Sequence, residues 1–334
     1  MLHLHYPIEM RTAIKKISTF KYIKMTNFSK PNSAQFLLKI IVVLTIFSGL
    51  IYSCGGKKEE SETSSIYAKE NLIAWCIVPY DSEKRGPEER ALMLKDLGIK
   101  SLAYDWRDEH IPTFDQELQT LKKHDIKLQG FWLASGPDPA NDKNLKIICD
   151  ALERNNVMTQ LWSMFGGWEG FDELTQQEKV ETAAVTVAYV AKKLDSIGSS
   201  LGLYNHGGWF GEPENQVAII EHLKMDNIGI VYNFSHAETQ ANRFEEFYPK
   251  ILPHLYAINI TGLKGGYPAE VVPVGQGNLE EDMMRIIQES SYNGPIGIIN
   301  EDFADDAKDG LEINMKGIKE ILKRLGDEKG LSTY

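Results

Sequence analysis

The strongest constraint on the fold is the repeated alternation of short apolar runs with longer amphipathic segments after residue 70. The apolar runs are rich in β-branched and aromatic residues and show little polar alternation, which is typical of parallel strands covered on both faces. Eight runs predict strands, at 71–78, 99–106, 126–134, 157–165, 200–206, 228–234, 255–261 and 294–300.

Helices are predicted after each strand, because apolar residues recur there at positions i, i+3 and i+4. They span 87–97, 113–124, 141–155, 175–197, 214–225, 242–252, 279–290 and 311–325. Eight strand–helix units match the count and size of a (β/α)8 TIM barrel. A doubly wound sheet is the alternative, but VPYDSEKRG after the first strand lacks a glycine-rich phosphate turn. The predicted fold class is α/β, with a single TIM barrel at 67–334.

The first 53 residues differ from the rest in charge and hydropathy. They carry seven basic residues against one acidic residue, a charge of +6, and end in the apolar run FLLKIIVVLTIFSGLIYS. A basic region followed by an apolar region predicts a secretory signal peptide. The last three residues of this run and the cysteine that follows, IYSC at 51–54, resemble a bacterial lipobox, which implies lipidation of Cys54 after removal of 1–53. An uncleaved transmembrane anchor is the alternative.

Cys54 is followed by GGKKEESETSS, which is small and charged and predicts a flexible tether over 54–66. The mature protein would then be lipid-anchored in the bacterial cell envelope, facing the periplasm or the cell surface. The whole chain has a formal charge of −11, so the part after the leader carries −17. This acidity argues against a nucleic-acid partner, because phosphate binding draws on clustered Lys and Arg.

In a TIM barrel the carboxyl ends of all eight strands meet at one mouth, where barrel enzymes carry their active sites. Here those ends are rich in Asn, Asp, His and Trp. Amides and acids bond to hydroxyl groups and aromatic faces cover the C–H faces of a sugar ring, so a small-molecule carbohydrate is the predicted ligand. The predicted substrate-binding residues are Asp105, Trp132, Asn205, Trp209, Asn233, Asn259, Lys264, Asn300 and Glu301.

The segment LGLYNHGGWFGEPENQ, residues 201–216, carries the most chemistry at any one strand end. Its three closely spaced glycines let the backbone bend sharply and approach a ligand. His206 and Glu212 supply a base and a carboxylate, and His236 follows the next strand, so these three are the predicted catalytic residues. A tight loop that only holds a turn is the alternative.

Asn205–His206, the segment YNFSHA after strand six and NGPIGIIN at strand eight resemble the xylose isomerase-like barrel superfamily, over about 70–325. That superfamily includes sugar isomerases, epimerases and apurinic endonuclease-type enzymes. The resemblance implies divalent metals held mainly by acids and histidines at strands five, six and eight, a His or Lys–Asp at strand seven, and paired Glu residues that move a proton beside a carbonyl. The corresponding positions in this chain are Tyr204, Asn233 with His236, Asn259, and Asn300 with Glu301 one step out of phase.

These substitutions bear directly on the metal, because hard divalent ions need anionic oxygen or imidazole ligands. Two interpretations stay open. A rearranged site could hold Mn, Mg or Zn through His206, Glu212 and His236. The favoured interpretation is that no metal is tightly bound, since an open catalytic site needs at least three converging ligands.

The predicted activity is proton transfer next to the carbonyl of a keto-sugar: isomerisation, epimerisation or β-elimination of a 3-keto-glycoside. Glu212 or His206 would be the base, and Lys264, His236 and the strand-end amides would stabilise the oxyanion. One alternative is a glycoside hydrolase that uses two carboxylates across the mouth. Another is a non-catalytic carbohydrate-binding lipoprotein.

Overall fold

The computed structural model of the protein describes residues 64–301 and 303–334. The predicted leader at 1–53, Cys54 and most of the predicted tether lie outside the described residues. The last two tether residues are packed onto the barrel: the Ser65 hydroxyl donates to the Asp327 carboxylate, and Ile66 contacts the hydrophobic core. Residues that pack onto the barrel therefore begin before the predicted boundary at Tyr67, because the Asp327 carboxylate accepts a hydrogen bond from Ser65.

Eight parallel strands close into a barrel, which confirms the predicted fold class. The first and last strands close the ring, with Leu72 opposite Ile296 and Trp75 opposite Ile299. Most strand residues are buried, which explains the lack of polar alternation in the sequence. The barrel strands are Leu72–Trp75 (β1), Ser101–Tyr104 (β2), Lys127–Ser135 (β3), Gln160–Phe165 (β4), Ser200–Tyr204 (β5), Ile228–Asn233 (β6), Leu255–Ile260 (β7) and Ile296–Ile299 (β10).

A short antiparallel hairpin follows β7 and was not predicted. Its strands are Gly262–Lys264 (β8) and Glu270–Val272 (β9). Strands of three residues are too short for periodicity to reveal them.

All eight predicted helices are present, and Gly98 and Gly326 cap the first and the last of them with φ of 74° and 70°. No helix within the described ranges is both long and apolar enough to cross a bilayer. The helices are Pro87–Leu97 (α1), Phe114–Lys123 (α2), Lys143–Arg154 (α3), Gln176–Asp195 (α4), Pro213–Leu223 (α5), Phe244–Ile251 (α6), Glu280–Glu289 (α7) and Ala307–Leu325 (α8), followed by the short Glu328–Leu331 (α9).

One indole fills the centre of the barrel. Trp162 on β4 is fully buried, and the strands on either side of it carry Gly130 and Gly202. A Cβ atom on Gly130 would lie 2.5 Å from the Trp162 ring, and one on Gly202 would lie 3.3 Å from it. These two glycines therefore serve to make room, and the ring centroid of Trp75 packs 5.1 Å from that of Trp162.

Candidate functional site

A pocket lies at the carboxyl ends of the barrel strands, where the sequence predicts the site. Its cavity measures about 90 Å³, below the range of about 300–1,000 Å³ usual for small-molecule sites. It therefore has room for one edge of a sugar. A wider depression of about 660 Å³ lies beside residue 64, and none of the described residues that line it is a histidine or a tryptophan. The pocket is lined by Trp75, Cys76, Tyr80, Asp105, Arg107, Trp132, Tyr204, His206, His236 and Glu301.

The pocket has an aromatic wall made of Trp75, Trp132 and Tyr204. Their ring centroids are 5.1–6.0 Å apart, and the rings are steeply inclined to one another. Trp75 and Tyr204 are almost fully buried, whereas Trp132 is only partly buried. Trp132 therefore offers the accessible face on which the C–H side of a sugar can stack.

Two histidines stand together at the mouth, with ring centroids 4.3 Å apart. His236 sits in a short 3-10 turn, Phe234–His236, which begins where Asn233 Oδ1 accepts from the Ser235 N–H over 3.0 Å. Burial lowers the pKa of His236 to about 4, and the neighbouring His206 contributes to this decrease. His236 is therefore a neutral imidazole near pH 7, whereas His206 is exposed and faces solvent.

Asp105 is a buried carboxyl group with one free oxygen. It is 2% exposed; Oδ1 accepts from the Val78 N–H over 3.3 Å, and Oδ2 has no hydrogen-bond partner within the described ranges. Burial raises the pKa of Asp105 to about 7, against the opposing effect of Arg107. A carboxyl group that titrates near neutrality can both take up and release a proton. Arg107 donates to the backbone carbonyls of Asp105 and Trp106 over 2.7 and 2.9 Å.

The second carboxyl group of the pocket, Glu301, has both oxygens in hydrogen bonds. Oε1 accepts from the Tyr80 hydroxyl over 3.4 Å, and Oε2 accepts from the Ser235 hydroxyl over 3.1 Å. Burial, together with the charge of Glu301, raises the pKa of Tyr80 to about 12, so Tyr80 stays a donor. The pocket thus contains two carboxyl groups in different environments, one hydrogen-bonded by hydroxyls and one buried.

Five of the predicted site residues line this pocket: Asp105, Trp132, His206, His236 and Glu301. Trp75 and Cys76 also line the pocket but were not predicted, because the apolar run places the end of the first strand at residue 78. The strand ends at Trp75, and Cys76 adopts a left-handed conformation with φ of 53°. This turn brings both side chains to the mouth. A left-handed conformation at a non-glycine residue cannot be recognised from the sequence of an apolar run.

The four strand-end amides predicted to bind substrate do not line the pocket. Asn205, Asn233, Asn259 and Asn300 are fully buried. Asn300 Nδ2 donates to the carbonyls of Tyr80 and Ala304, which shapes the loops around the mouth. Neither amide atom of Asn259 has a partner among the described residues. These four amides lie beneath the surface of the pocket. They therefore support its walls and do not contact a ligand.

Three other predicted residues also lie away from the pocket. Glu212 precedes α5 and forms an ion pair with Arg243 over 2.9 Å. Trp209 Nε1 donates to Gln176 over 2.8 Å. Lys264 is exposed on the hairpin and lies 3.4 Å from the Glu270 carboxylate. Of the three predicted catalytic residues, only His206 and His236 are therefore brought together.

The residues present do not fit a divalent metal held by three protein ligands. Within the described part of the chain, no three His, Cys, Asp or Glu side chains converge on a common point. The predicted set of His206, Glu212 and His236 is split, because Glu212 pairs with Arg243. Tyr204, at the position where the resemblance implies a ligating Glu, has its pKa raised by burial and stays a neutral phenol.

Comparison with known proteins identifies the family. The family described as xylose isomerase-like TIM barrel matches residues 92–325, so the chain belongs to it and the predicted resemblance is confirmed. An uncharacterised protein of Methanocaldococcus jannaschii is 27% identical over 279 residues, covering 79% of this chain and 84% of that protein.

Two solved structures illustrate the breadth of similar folds. The 3-keto-D-glucoside 4-epimerase of E. coli, in its apo form, superposes with a TM-score of 0.57 at 10% identity, covering 76% of this chain and 100% of that one. The IOLI protein with a bound zinc atom superposes with a TM-score of 0.58 at 12% identity, covering 76% and 98%. At these identities the likeness concerns the fold.

Proposed function

We propose that this protein is a carbohydrate-modifying enzyme that transfers a proton at the carbon next to a sugar carbonyl, with no tightly bound metal. The observation that carries the proposal is the pocket that combines the free, buried Asp105 Oδ2 with the His206–His236 pair and an aromatic wall. Similarity to a 3-keto-D-glucoside 4-epimerase supports a keto-sugar as the substrate class.

In the proposed reaction Asp105 and His206 move protons on the substrate. The Asp105 carboxylate accepts the proton from the carbon beside the carbonyl, because a base with a pKa near the working pH transfers protons efficiently. His206 exchanges a proton with a substrate oxygen at the open side of the pocket. Trp132 stacks on the ring, and Glu301 accepts a hydrogen bond from a hydroxyl. Return of the proton to the opposite face of the same carbon gives epimerisation. Delivery of the proton to the former carbonyl carbon, with a new carbonyl formed from the neighbouring hydroxyl, gives isomerisation. Loss of a leaving group from the next carbon gives β-elimination.

The charge of the pocket favours a neutral sugar over a phosphorylated one. A phosphate usually needs several donors, and the guanidinium of Arg107 already donates to two backbone carbonyls. Lys264 lies outside the pocket and beside Glu270.

A glycoside hydrolase is the second candidate, favoured by one observation. The pocket holds two carboxyl groups, as glycoside hydrolysis requires: Asp105, whose pKa is raised by burial, and Glu301, which accepts from two hydroxyls. A carbohydrate-binding protein without catalysis would use the same aromatic wall but would not need a titrating Asp105.

The test is hydrogen exchange in D₂O followed by NMR. Wild-type protein is incubated with ketopentoses, ketohexoses and a methyl 3-keto-glucoside, and deuterium at the carbon beside the carbonyl is measured. We expect Asp105→Asn and His206→Gln each to slow exchange at least about 100-fold. The exposed Asp195→Asn and His222→Gln variants are the matched controls and should exchange at the wild-type rate.

Three results would separate the candidates. Exchange that persists in both pocket variants contradicts the proposed roles. Release of a parent alcohol from simple glycosides, without deuterium beside a carbonyl, identifies a hydrolase. Binding of sugars without either reaction identifies a binding protein.

We also propose that the protein is an exported lipoprotein anchored through Cys54 in the bacterial cell envelope. The support is the +6 leader with its apolar run and the IYSC segment. Expression of the full chain with globomycin, or of Cys54→Ala, should block maturation, so that the chain accumulates with its leader uncleaved and carries no lipid at residue 54. Unchanged processing and lipid labelling in both cases would contradict the proposal.

A further inference from the structure

Tyr204 occupies a central position in the aromatic wall. It ends β5, lines the pocket and is 2% exposed. Its ring packs edge-on against Trp75 and Trp132 and lies 5.5 Å from the ring of His236. The resemblance to metal-binding barrels gives this position no role here, because a neutral phenol replaces the carboxylate.

The oxygen of Tyr204 accepts two hydrogen bonds. Trp75 Nε1 donates to it over 2.9 Å, and Asn233 Nδ2 donates over 2.5 Å. Both assignments are chemically forced. An indole nitrogen is only a donor, and the Asn233 amide is oriented by its own Oδ1, which accepts from the Ser235 N–H over 3.0 Å. The amide nitrogen must therefore face Tyr204.

Two accepted hydrogen bonds use both lone pairs of the phenol oxygen, so its proton has to be donated elsewhere. Within the described residues no acceptor lies in hydrogen-bond range of that proton. Burial keeps the pKa of Tyr204 well above its ordinary value, which keeps the proton on the oxygen. The two donors also polarise the O–H bond, since hydrogen bonds in a chain strengthen one another.

We propose that Tyr204 is a preorganised hydrogen-bond donor to the carbonyl oxygen of the substrate, held in place by Trp75 and Asn233. This inference rests on the proposed function and deepens it, because it makes the site selective for a carbonyl over the corresponding alcohol. When Asp105 takes the proton from the neighbouring carbon, the C–H electron pair forms a C=C bond. The carbonyl π pair moves to oxygen, where the Tyr204 hydroxyl stabilises the negative charge; return of the proton reverses both shifts.

The first experiment is Tyr204→Phe, which keeps the ring packing and removes only the hydroxyl. Hydrogen exchange on the responsive keto-sugar should fall about 10²–10³-fold in kcat, with KM changed by less than about fivefold. Tyr189→Phe, at an exposed tyrosine on α4, is the control and should leave both constants unchanged. A merely structural role would instead lower the unfolding midpoint of Tyr204→Phe while leaving kcat intact, and this result would overturn the inference.

The second experiment reads binding without catalysis. Dihydroxyacetone and glycerol share a three-carbon skeleton and differ at one oxygen, and saturation-transfer NMR compares their affinities for the wild type and for Tyr204→Phe. We expect the wild type to prefer dihydroxyacetone and the variant to lose that preference. If Tyr204→Phe fails to fold, 3-fluorotyrosine is inserted at position 204 instead. This residue is a more acidic phenol, so the preference for dihydroxyacetone over glycerol should increase. An unchanged preference would overturn the inference.

The outcomes distinguish the inference from the proposed function. Exchange by the wild type that is unaffected in Tyr204→Phe overturns the inference alone. No exchange by the wild type, with a carbonyl preference that disappears in Tyr204→Phe, supports the donor and overturns the proposed reaction. Absence of both exchange and preference overturns both.

Discussion

Asn205 forms two hydrogen bonds with the main chain of Asn233. Its Nδ2 donates to the Asn233 carbonyl over 3.0 Å, and its Oδ1 accepts from the Asn233 N–H over 2.7 Å. Both residues are fully buried, so this pair connects the ends of β5 and β6 without contact with solvent. Because the Asn233 side chain bonds to Tyr204 and Ser235, the same pair determines where the phenol and the His236 turn stand.

Asn205→Ala should destabilise the protein by about 2–4 kcal/mol, because it leaves a buried N–H and a buried carbonyl of Asn233 without partners. Urea denaturation monitored by tryptophan fluorescence measures this change. Asn293→Ala, at an exposed asparagine, is the control and should stay within about 0.5 kcal/mol of the wild type. Equal stability of the two variants would show that the main chain holds Asn233 without Asn205.

Asp105→Asn should remove a dependence of stability on pH. The folded carboxyl group titrates near pH 7, whereas an unfolded one titrates near pH 4. The native state therefore keeps a proton that the unfolded chain releases, and the stability due to Asp105 is full below about pH 4 and lost as the pH rises to 7. The free energy of unfolding of Asp105→Asn minus that of the wild type should increase by up to about 4 kcal/mol over this range. Urea titrations at each pH unit test this, and a difference independent of pH would contradict it.

His236→Gln should show the opposite slope. The pKa of His236 is lowered to about 4 in the folded state, while an unfolded histidine titrates near pH 6.5. Between these values the unfolded chain binds a proton that the native state excludes, so the wild type loses stability as the pH falls. The variant should gain up to about 3 kcal/mol relative to the wild type between pH 6.5 and 4. A difference between His236→Gln and the wild type that does not change with pH would contradict this prediction.

Arg90 and Glu117 form a buried ion pair between α1 and α2, with Arg90 Nη1 2.5 Å from Glu117 Oε2 and both side chains at most 3% exposed. Arg90→Met or Glu117→Leu alone should destabilise by about 3–5 kcal/mol, because each leaves an uncompensated charge. The double variant should be more stable than either single variant, since hydrophobic replacement of both partners removes the desolvation penalty. A double-mutant cycle by urea denaturation measures the coupling; additive effects would contradict it.

Treatment with a chelator should leave hydrogen exchange and the unfolding midpoint unchanged. The physical reason is the donor set: the described residues bring no three His, Cys, Asp or Glu side chains together, and Glu212 is paired with Arg243. The measurement is metal content by mass spectrometry after purification without chelator, followed by dialysis against EDTA. One metal per chain, with activity lost on dialysis and restored by Mn²⁺, Mg²⁺ or Zn²⁺, would contradict the prediction.

The fold could be predicted because its signals are local. Each strand is a short run that needs to be apolar on both faces, and each helix carries its own periodicity, so both can be recognised without knowing what they pack against. Element boundaries that depend on a single residue could not be predicted. The backbone conformation of Cys76 ends β1, but the sequence stays apolar beyond this residue.

The site was predicted only in part, because strand ends identify a region and not the orientation of a side chain. Asp105, Trp132 and His206 were identified from their places at the carboxyl ends of predicted strands. Glu212 was also a strong candidate by position, but its partner, Arg243, is distant in sequence. The role of the strand-end amides depends on whether their side chains are buried. The residue types at a strand end do not reveal this.

The contact of Trp162 with Gly130 and Gly202 has a consequence for how this pocket can change over evolutionary time. Trp162 does not line the pocket, but its ring packs against Trp75 and Tyr204, which do. A smaller residue at 162 would open a void. A side chain at 130 would collide with the ring, and one at 202 would collide with Val231 and press against the ring. New substrate sizes would therefore be reached by paired substitutions at these three positions, and single steps would first pass through destabilised intermediates.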